Sequence, residues 1–589
     1  MRTTAAPPWL RHILRPTPVP VDRALVLRGA VGIALPLAAG QLAGEPALGA
    51  AAALGAYGAA VDDSSAPWRL RALTLALPQL AGATGLALGH ATSGHPWAQV
   101  LLLAVTALLS ALLSSTGRVG NTSTLVLLLA TAMGIGLPSG GPWWHTPALF
   151  LLGGLPLALW SVATALRHAA RDERAATATA FRATAALLRP APTAPPDGPG
   201  RRHGLTLAMD AAHDTLLGRR LTRPRPGTRT AYLATALDAL IPVIAALPAA
   251  RHATAPVAEA YAAHLDDIAD GLERDARPVP GAHPLPPAPA APALDPLYEA
   301  VVRAGTVADD PRTPRDPRHR LPLWTPPARR LARTLRTRLS DPATWSFALR
   351  LTLCVTVAQA VASFSALPRS GWIVLTVALL VRPGLGTVPA RLVTRVLGTF
   401  AGVLAGLALI SALAPGWPRI TAVVALTALL QAFARYTYAL QTLLLTPVMM
   451  LLADPLGLAG ASVPEARLLD TLVGSALALT AGYLLWPENN RADLARRLAR
   501  AHERTADYLD ARTPYGPHGT DRHELHALRR AAHHELARLH AELDRLRTDP
   551  RHHRDLVPWR QYLYDLENAL DDAPASRRAR PHPAPPPEE

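Results

Sequence analysis

The chain has 589 residues, half of them apolar but only 5% aromatic, with 59 basic against 43 acidic side chains. Every basic residue is arginine, which excludes a Walker A lysine and a lysine Schiff base, and the single cysteine, Cys354, excludes an intrachain disulfide framework or a Cys-based zinc site. The formal net charge of +16 calls for nucleic acid, anionic lipid or an anionic solute as counterpart, and because the charge sits outside long apolar runs the membrane is favoured.

In chain order, residues 1–23 form a Pro- and Arg-rich cytoplasmic segment. A first transmembrane block, 24–166, follows. Its apolar runs at 24–41, 46–61, 72–90, 98–116, 121–138 and 147–166 approach the roughly 20 residues needed to cross a bilayer. With a cytoplasmic N-terminus, the outer loops 42–45, 91–97 and 139–146 hold no arginine, whereas Arg69, Arg71, Arg118 and Arg167 fall inside. Asp62 and Asp63, after the second run, read as a cap for the next element. Residues 167–344 form a cytoplasmic region with helices near 169–189, 204–220, 228–248 and 255–275, interrupted by Pro-rich breaks and an Arg/Pro-rich linker at 311–330.

A second block, 345–487, repeats the pattern with runs at 345–366, 371–387, 394–413, 419–434, 437–453 and 468–486. In both blocks a short apolar helix passes through a polar elbow and paired arginines into a Gly-containing helix. An even number of runs per block would relate the repeats by an axis along the membrane normal. Several runs are short, so 10 to 12 crossings are expected. Trp97, Trp143, Trp144, Trp372, Trp417 and Trp486 lie at run ends, where amphipathic rings favour the interface. Residues 488–572 form a C-terminal cytoplasmic helical region. Leu525, Leu528, Ala532, Leu536, Leu539, Leu543 and Leu546 share one helix face, continued by Trp559, Leu563, Leu566 and Leu570. The tail 573–589 has the composition of a disordered segment.

The most specific stretch is Gly371 to Gly406, GWIVLTVALLVRPGLGTVPARLVTRVLGTFAGVLAG. Arg391 and Arg395 stand one helical turn apart, able either to bind a carboxylate or to anchor the helix at the headgroups. Gly398, Gly402 and Gly406 form a small-residue packing stripe, as do Gly40/Gly44 and Gly85/Gly89. Asp470, three residues after Arg467, can carry a coupling proton or pair with that arginine. Pro383, Gly384 and Gly386, beside Arg382, make either a broken helix that presents its ends to a substrate or a plain turn. His526, His533 and His540 lack metal-ligand spacing and read as a solvated stripe.

This stretch, with Trp372, Thr376, Pro383, Arg391, Arg395, Gly398-Thr399, Gly402 and Gly406, resembles the fusaric acid resistance (FUSC) family of bacterial inner-membrane proteins. That family includes aromatic acid exporters, with plant aluminium-activated malate channels as distant relatives. Arg467-Leu-Leu-Asp470-Thr471-Leu-Val-Gly474 is a second match. The resemblance covers roughly 345–490 and is weaker over 24–166. It implies an all-α polytopic membrane protein that exports aromatic or other organic acid anions.

The expectation is therefore an inner-membrane protein of two repeated blocks of about six helices. It would move a small organic anion by an ion gradient, with Arg391, Arg395, Arg382, Asp470 and Arg467 on the anion pathway. A passive anion channel and a non-transporting scaffold are the alternatives. The expected partners are the lipid bilayer and the anion, a homo-oligomer or an accessory efflux protein is left open, and nucleic acid is disfavoured. No cofactor, metal or enzymatic activity is expected.

Overall fold

Each of the twelve apolar runs contains a helix in the computed structural model, which is all-α among the residues it describes. Those residues are 21–63, 68–114, 116–137, 142–189, 199–218, 228–274, 286–289, 291–309, 327–365, 371–381, 388–433, 436–458, 463–485, 490–511, 557–572 and parts of 528–546. The chain divides into two units.

The apolar unit comprises Met1–Leu166, Pro326–Glu488 and Arg545–His553. Its first block contains α1 (Arg23–Leu42), α2 (Pro46–Asp62), α3 (Trp68–Ala91), α4 (Pro96–Ser114), α5 (Arg118–Gly136) and the first half of α6 (His145–Leu188). Four helices of the other unit intervene, and α11 (Pro327–Leu339) precedes the second block. That block contains α12 (Pro342–Phe364), α13 (Gly371–Leu380), α14 (Val388–Ala412), α15 (Trp417–Phe433), α16 (Tyr438–Ala453) and α17 (Val463–Leu479).

Eight described helices are long and apolar enough to span a bilayer: α1, α3, α4, α5, α6, α12, α14 and α16. The expected 10 to 12 crossings would need two to four of the shorter helices as well. α2, α15 and α17 have 17 residues each and α13 has 10. Ten residues rise about 15 Å, half of a hydrocarbon core.

The two blocks interleave. α12 packs on α4 of the first block, and α1 packs reciprocally on α15 of the second. α13 likewise meets α5, and α2 meets α16. One apolar core, with Leu103, Ala107, Leu128, Val355, Ile373, Val377 and Ala478, therefore draws on both blocks. Gln359 Nε2 donates to Gln99 Oε1 at 3.3 Å across the α12–α4 seam, and Gln431 Nε2 donates to the Ala60 carbonyl at 2.6 Å across α15 and α2. Without water in the bilayer, such side-chain bonds and close packing hold helices together in place of the hydrophobic effect.

α2 shows why small residues matter here. Its sequence, PALGAAAALGAYGAAVD, is buried from Gly49 to Ala56. A methyl group added at Gly55 would run into the Phe150 carbonyl of α6. Only glycine lets the two backbones meet. Gly44, expected in a packing stripe with Gly40, instead has φ of +73° and no neighbour within 4 Å. It serves the turn between α1 and α2, where the left-handed conformation favours glycine.

The second unit comprises Arg167–Thr325, Asn489–Asp544 and Arg554–Glu589. The end of α6 packs with α7 (Pro199–Gly218), α8 (Thr228–Ala246), α9 (Ala255–Arg274) and α10 (Asp295–Asp309) around Phe181, Leu237, Tyr261, Leu265 and Val301. α10 was not foreseen, because it begins inside a Pro-rich break. The C-terminal region has α18 (Asn490–Ala511) and α19 (Val557–Asp572). Leu494 and Leu498 of α18, Leu536, Leu539 and Leu543, and Leu563, Leu566 and Leu570 of α19 are all buried. The leucine face is thus covered by the chain itself. His540 pairs with Glu567 at 3.2 Å, and His526 and His533 lie outside the described residues.

A buried arginine site in the second block

α14 opens with Arg391 and Arg395 on one face, each only 7% exposed. A snorkelling anchor keeps its guanidinium accessible at the bilayer edge. Both of these side chains instead turn into the bundle. Thr394, between them, spends its hydroxyl on the Arg391 carbonyl at 3.1 Å. Arg395 Nη1 donates to the Tyr438 hydroxyl of α16 at 3.2 Å. α14 is held against α16 by Gly398, Gly402 and Gly406, which face Thr442, Thr446 and Met450.

α17 packs on both α13 and α14 and brings in the other charged residues. Arg467 is 7% exposed and Asp470 fully buried. They stand on one helix face, but no ion pair forms, and neither Asp470 oxygen has a hydrogen-bond partner. The guanidinium of Arg467 lies 3.5 Å from the centroid of the Trp372 ring of α13. Trp372, expected at the interface, is thus half-buried beneath a cation. Arg395 and Asp470 both lie within electrostatic reach of Arg467. Nearby, Gly474 fits against Thr376 of α13, and the Thr376 and Ser475 hydroxyls are buried without hydrogen-bond partners. Among the described residues, neither Arg395 nor Arg467 bonds to a carboxylate. Arg382 lies outside the described residues.

The first block holds a charged cluster that sequence reasoning missed. Asp63 is 3% exposed and follows the last residue of α2. It accepts from Arg28 Nε of α1 at 2.9 Å and from Arg71 Nε of α3 at 2.8 Å. Ser161 of α6 donates to the same carboxylate at 2.5 Å. Asp63 is thus an ionic centre between α1 and α3, with one negative charge bonded to two arginines. The available signal was Arg28, a charged residue five positions into an otherwise apolar run. No cluster of metal-ligating residues occurs among the described residues.

Residues 353–481 match the profile of the fusaric acid resistance protein-like family. The chain carries a domain of this family. Trp372, Arg391, Arg395, Arg467 and Asp470 all lie within the fusaric acid resistance protein-like domain, and the protein is a polytopic membrane protein. Over 211 residues the chain is 28% identical to Inner membrane protein YccS of Escherichia coli, covering 36% of this chain and 29% of that protein. It is 30% identical over 220 residues to an uncharacterized protein of Haemophilus influenzae, covering 37% and 29%. A third relative, protein ORF2 of Neisseria gonorrhoeae, is 30% identical over 210 residues, covering 34% and 49%. The chain spans less than a third of the length of the first two relatives and about half of the third. No solved structure matches.

Proposed function

We propose that the protein exports small organic acid anions, aromatic ones foremost, across the inner membrane, driven by a proton gradient. The observation that carries this reading is the burial of three guanidinium groups, Arg391, Arg395 and Arg467, of which Arg395 and Arg467 bond to no carboxylate among the described residues. A charged side chain inside an apolar bundle is costly and marks a substrate or ion path. An excess of arginine is neutralised best by a carboxylate, which the planar guanidinium binds through paired hydrogen bonds. Trp372 lies under Arg467 and the Tyr438 hydroxyl meets Arg395, so an aromatic ring accompanies each of these arginines, which suits an aromatic acid.

Asp470 supports the proton-driven form of the reading. A buried carboxylate without hydrogen bonds is chemically suited to exchange a proton as the anion passes, and its neighbour Arg467 offers the charge that such an exchange would modulate. An N-terminus on the cytoplasmic side follows from the placement of arginine in the first block. The name of the Escherichia coli relative supports the inner membrane as the location.

The test is uptake of radiolabelled aromatic and aliphatic carboxylates into vesicles that hold the purified protein, with and without an imposed pH gradient. Accumulation that needs the gradient supports the exporter. Flux that follows membrane potential alone replaces it with a passive channel, and no flux from folded protein removes transport.

A further inference from the structure

The short helix before the second block, α11, carries five arginines and no acidic residue in its 13 residues, PARRLARTLRTRL. At helical spacing, positions 329, 330, 333 and 336 fall on one arc of about 120°, and positions 331, 335 and 339, all leucine, fall on the opposite one with Ala328 and Ala332. A basic helix that only faces water has no need of a leucine arc. The helix meets α4 and α12, both of them long and apolar enough to span a bilayer. Its end is tied to the start of α12. The Trp345 indole N–H donates to the Leu339 carbonyl at 2.8 Å, and the Ser340 hydroxyl donates to the Thr337 carbonyl at 2.9 Å. Trp345 is exposed, and Leu349 and Leu353 follow it at four-residue steps as an exposed apolar stripe along α12. Such a stripe on a span faces lipid, and a tryptophan at its end marks the headgroup level. Leu339 is exposed beside that tryptophan, and Leu335 is half-buried. Arg336 and Arg338 are exposed and form no ion pair among the described residues.

We infer that α11 is an interfacial helix that binds anionic phospholipid headgroups at the leaflet where α12 enters the bilayer. Its leucine arc enters the headgroup boundary at the depth set by Trp345, and its arginine arc meets the lipid phosphates. The occupant follows from the use of both arcs together. A free anion would need the arginines alone, whereas an acidic lipid supplies phosphate for one arc and acyl chain for the other. Arginine suits this partner, because the planar guanidinium binds phosphate oxygens in pairs. The inference does not depend on what the second block transports.

The experiment titrates tail-labelled phosphatidylglycerol and phosphatidylcholine, with the same acyl chains, into the full chain purified in detergent. The wild type is expected to bind the anionic lipid at least about tenfold more tightly, since each arginine near an anionic lipid surface contributes about fivefold. The triple variant Arg329→Gln, Arg333→Gln, Arg336→Gln is expected to bring the two affinities within about twofold of each other. A control triple of exposed arginines in the other unit, Arg303→Gln, Arg497→Gln, Arg500→Gln, is expected to keep the preference. No preference in the wild type, or a preference that survives the α11 triple, overturns the inference and leaves the arginine face to an acidic protein segment. Loss of the preference in the control triple overturns it too, because net charge alone would then be read. Displacement of the labelled lipid by soluble glycerol phosphate at matched concentration removes lipid as the occupant. Should the α11 triple fail to fold by circular dichroism, Arg336→Gln alone decides: a preference about fivefold lower supports the inference, and an unchanged one overturns it.

Discussion

The guanidinium of Arg467 lies over the Trp372 ring, 3.5 Å from its centroid, while Asp470, one turn further along α17, receives no hydrogen bond from it. A cation in this position gains about 2 kcal/mol or more from the ring when desolvated. It also leaves the carboxylate uncommitted. An ordinary buried ion pair would lock α17 to itself, whereas this arrangement joins α17 to α13 and keeps a titratable group inside the bundle.

Replacement of Arg391 or Arg395 by Gln is expected to weaken carboxylate binding about 10- to 150-fold, from about 1.5–3 kcal/mol for a hydrogen bond to a charged group. Equilibrium binding of radiolabelled benzoate checks this, with membrane protein level as the control. Unchanged affinity in both variants would remove these residues from the anion path.

Asp470→Asn keeps the shape and breaks no hydrogen bond. The protein is expected to reach the membrane at wild-type level and to lose gradient-driven accumulation. Counterflow, which needs no gradient, is expected to persist. Retention of pH-driven uptake would assign the proton elsewhere.

Gly398 meets the Ala439 carbonyl 2.7 Å from where a Cβ would sit, and Gly402 meets the Leu443 carbonyl at 2.8 Å. Because a backbone carbonyl stands among the obstacles at each site, Gly→Ala at either site forces α14 away from α16, at about 1–3 kcal/mol. Gly371, with no neighbour within 4 Å, is the control. Thermal unfolding in detergent should separate the two classes.

In the other unit, burial pushes the Tyr232 phenol up to about 12, with Asp309 adding to the shift. The folded value lies above the unfolded one of about 10. The neutral phenol, which donates to the Ala308 carbonyl at 2.7 Å, therefore stabilises the fold fully below pH of about 10 and loses that contribution as pH rises toward 12. Tyr232→Phe should be less stable at neutral pH and show a shallower alkaline decline, read by circular dichroism melts.

Much of this protein was determined by sequence alone. The apolar runs fixed which segments are helices, because a chain in lipid must satisfy its backbone within each segment. The placement of Arg391, Arg395, Arg467 and Asp470 against apolar surroundings marked the candidate site, since charge in such runs is too costly to be incidental. The reach of the helices was harder to see. α13 stops at Leu380, and hydropathy does not say where a helix ends. Tertiary structure alone decided the partners. Asp63 reads in sequence as a cap for the next element, whereas its partners Arg28 and Ser161, 35 and 98 residues away, appear only in the packed bundle. Arg467 and Asp470 looked like a pair because they are one turn apart, yet Trp372 from another helix takes the cation. Spacing along a chain sets which side chains share a face, and only packing sets what that face meets.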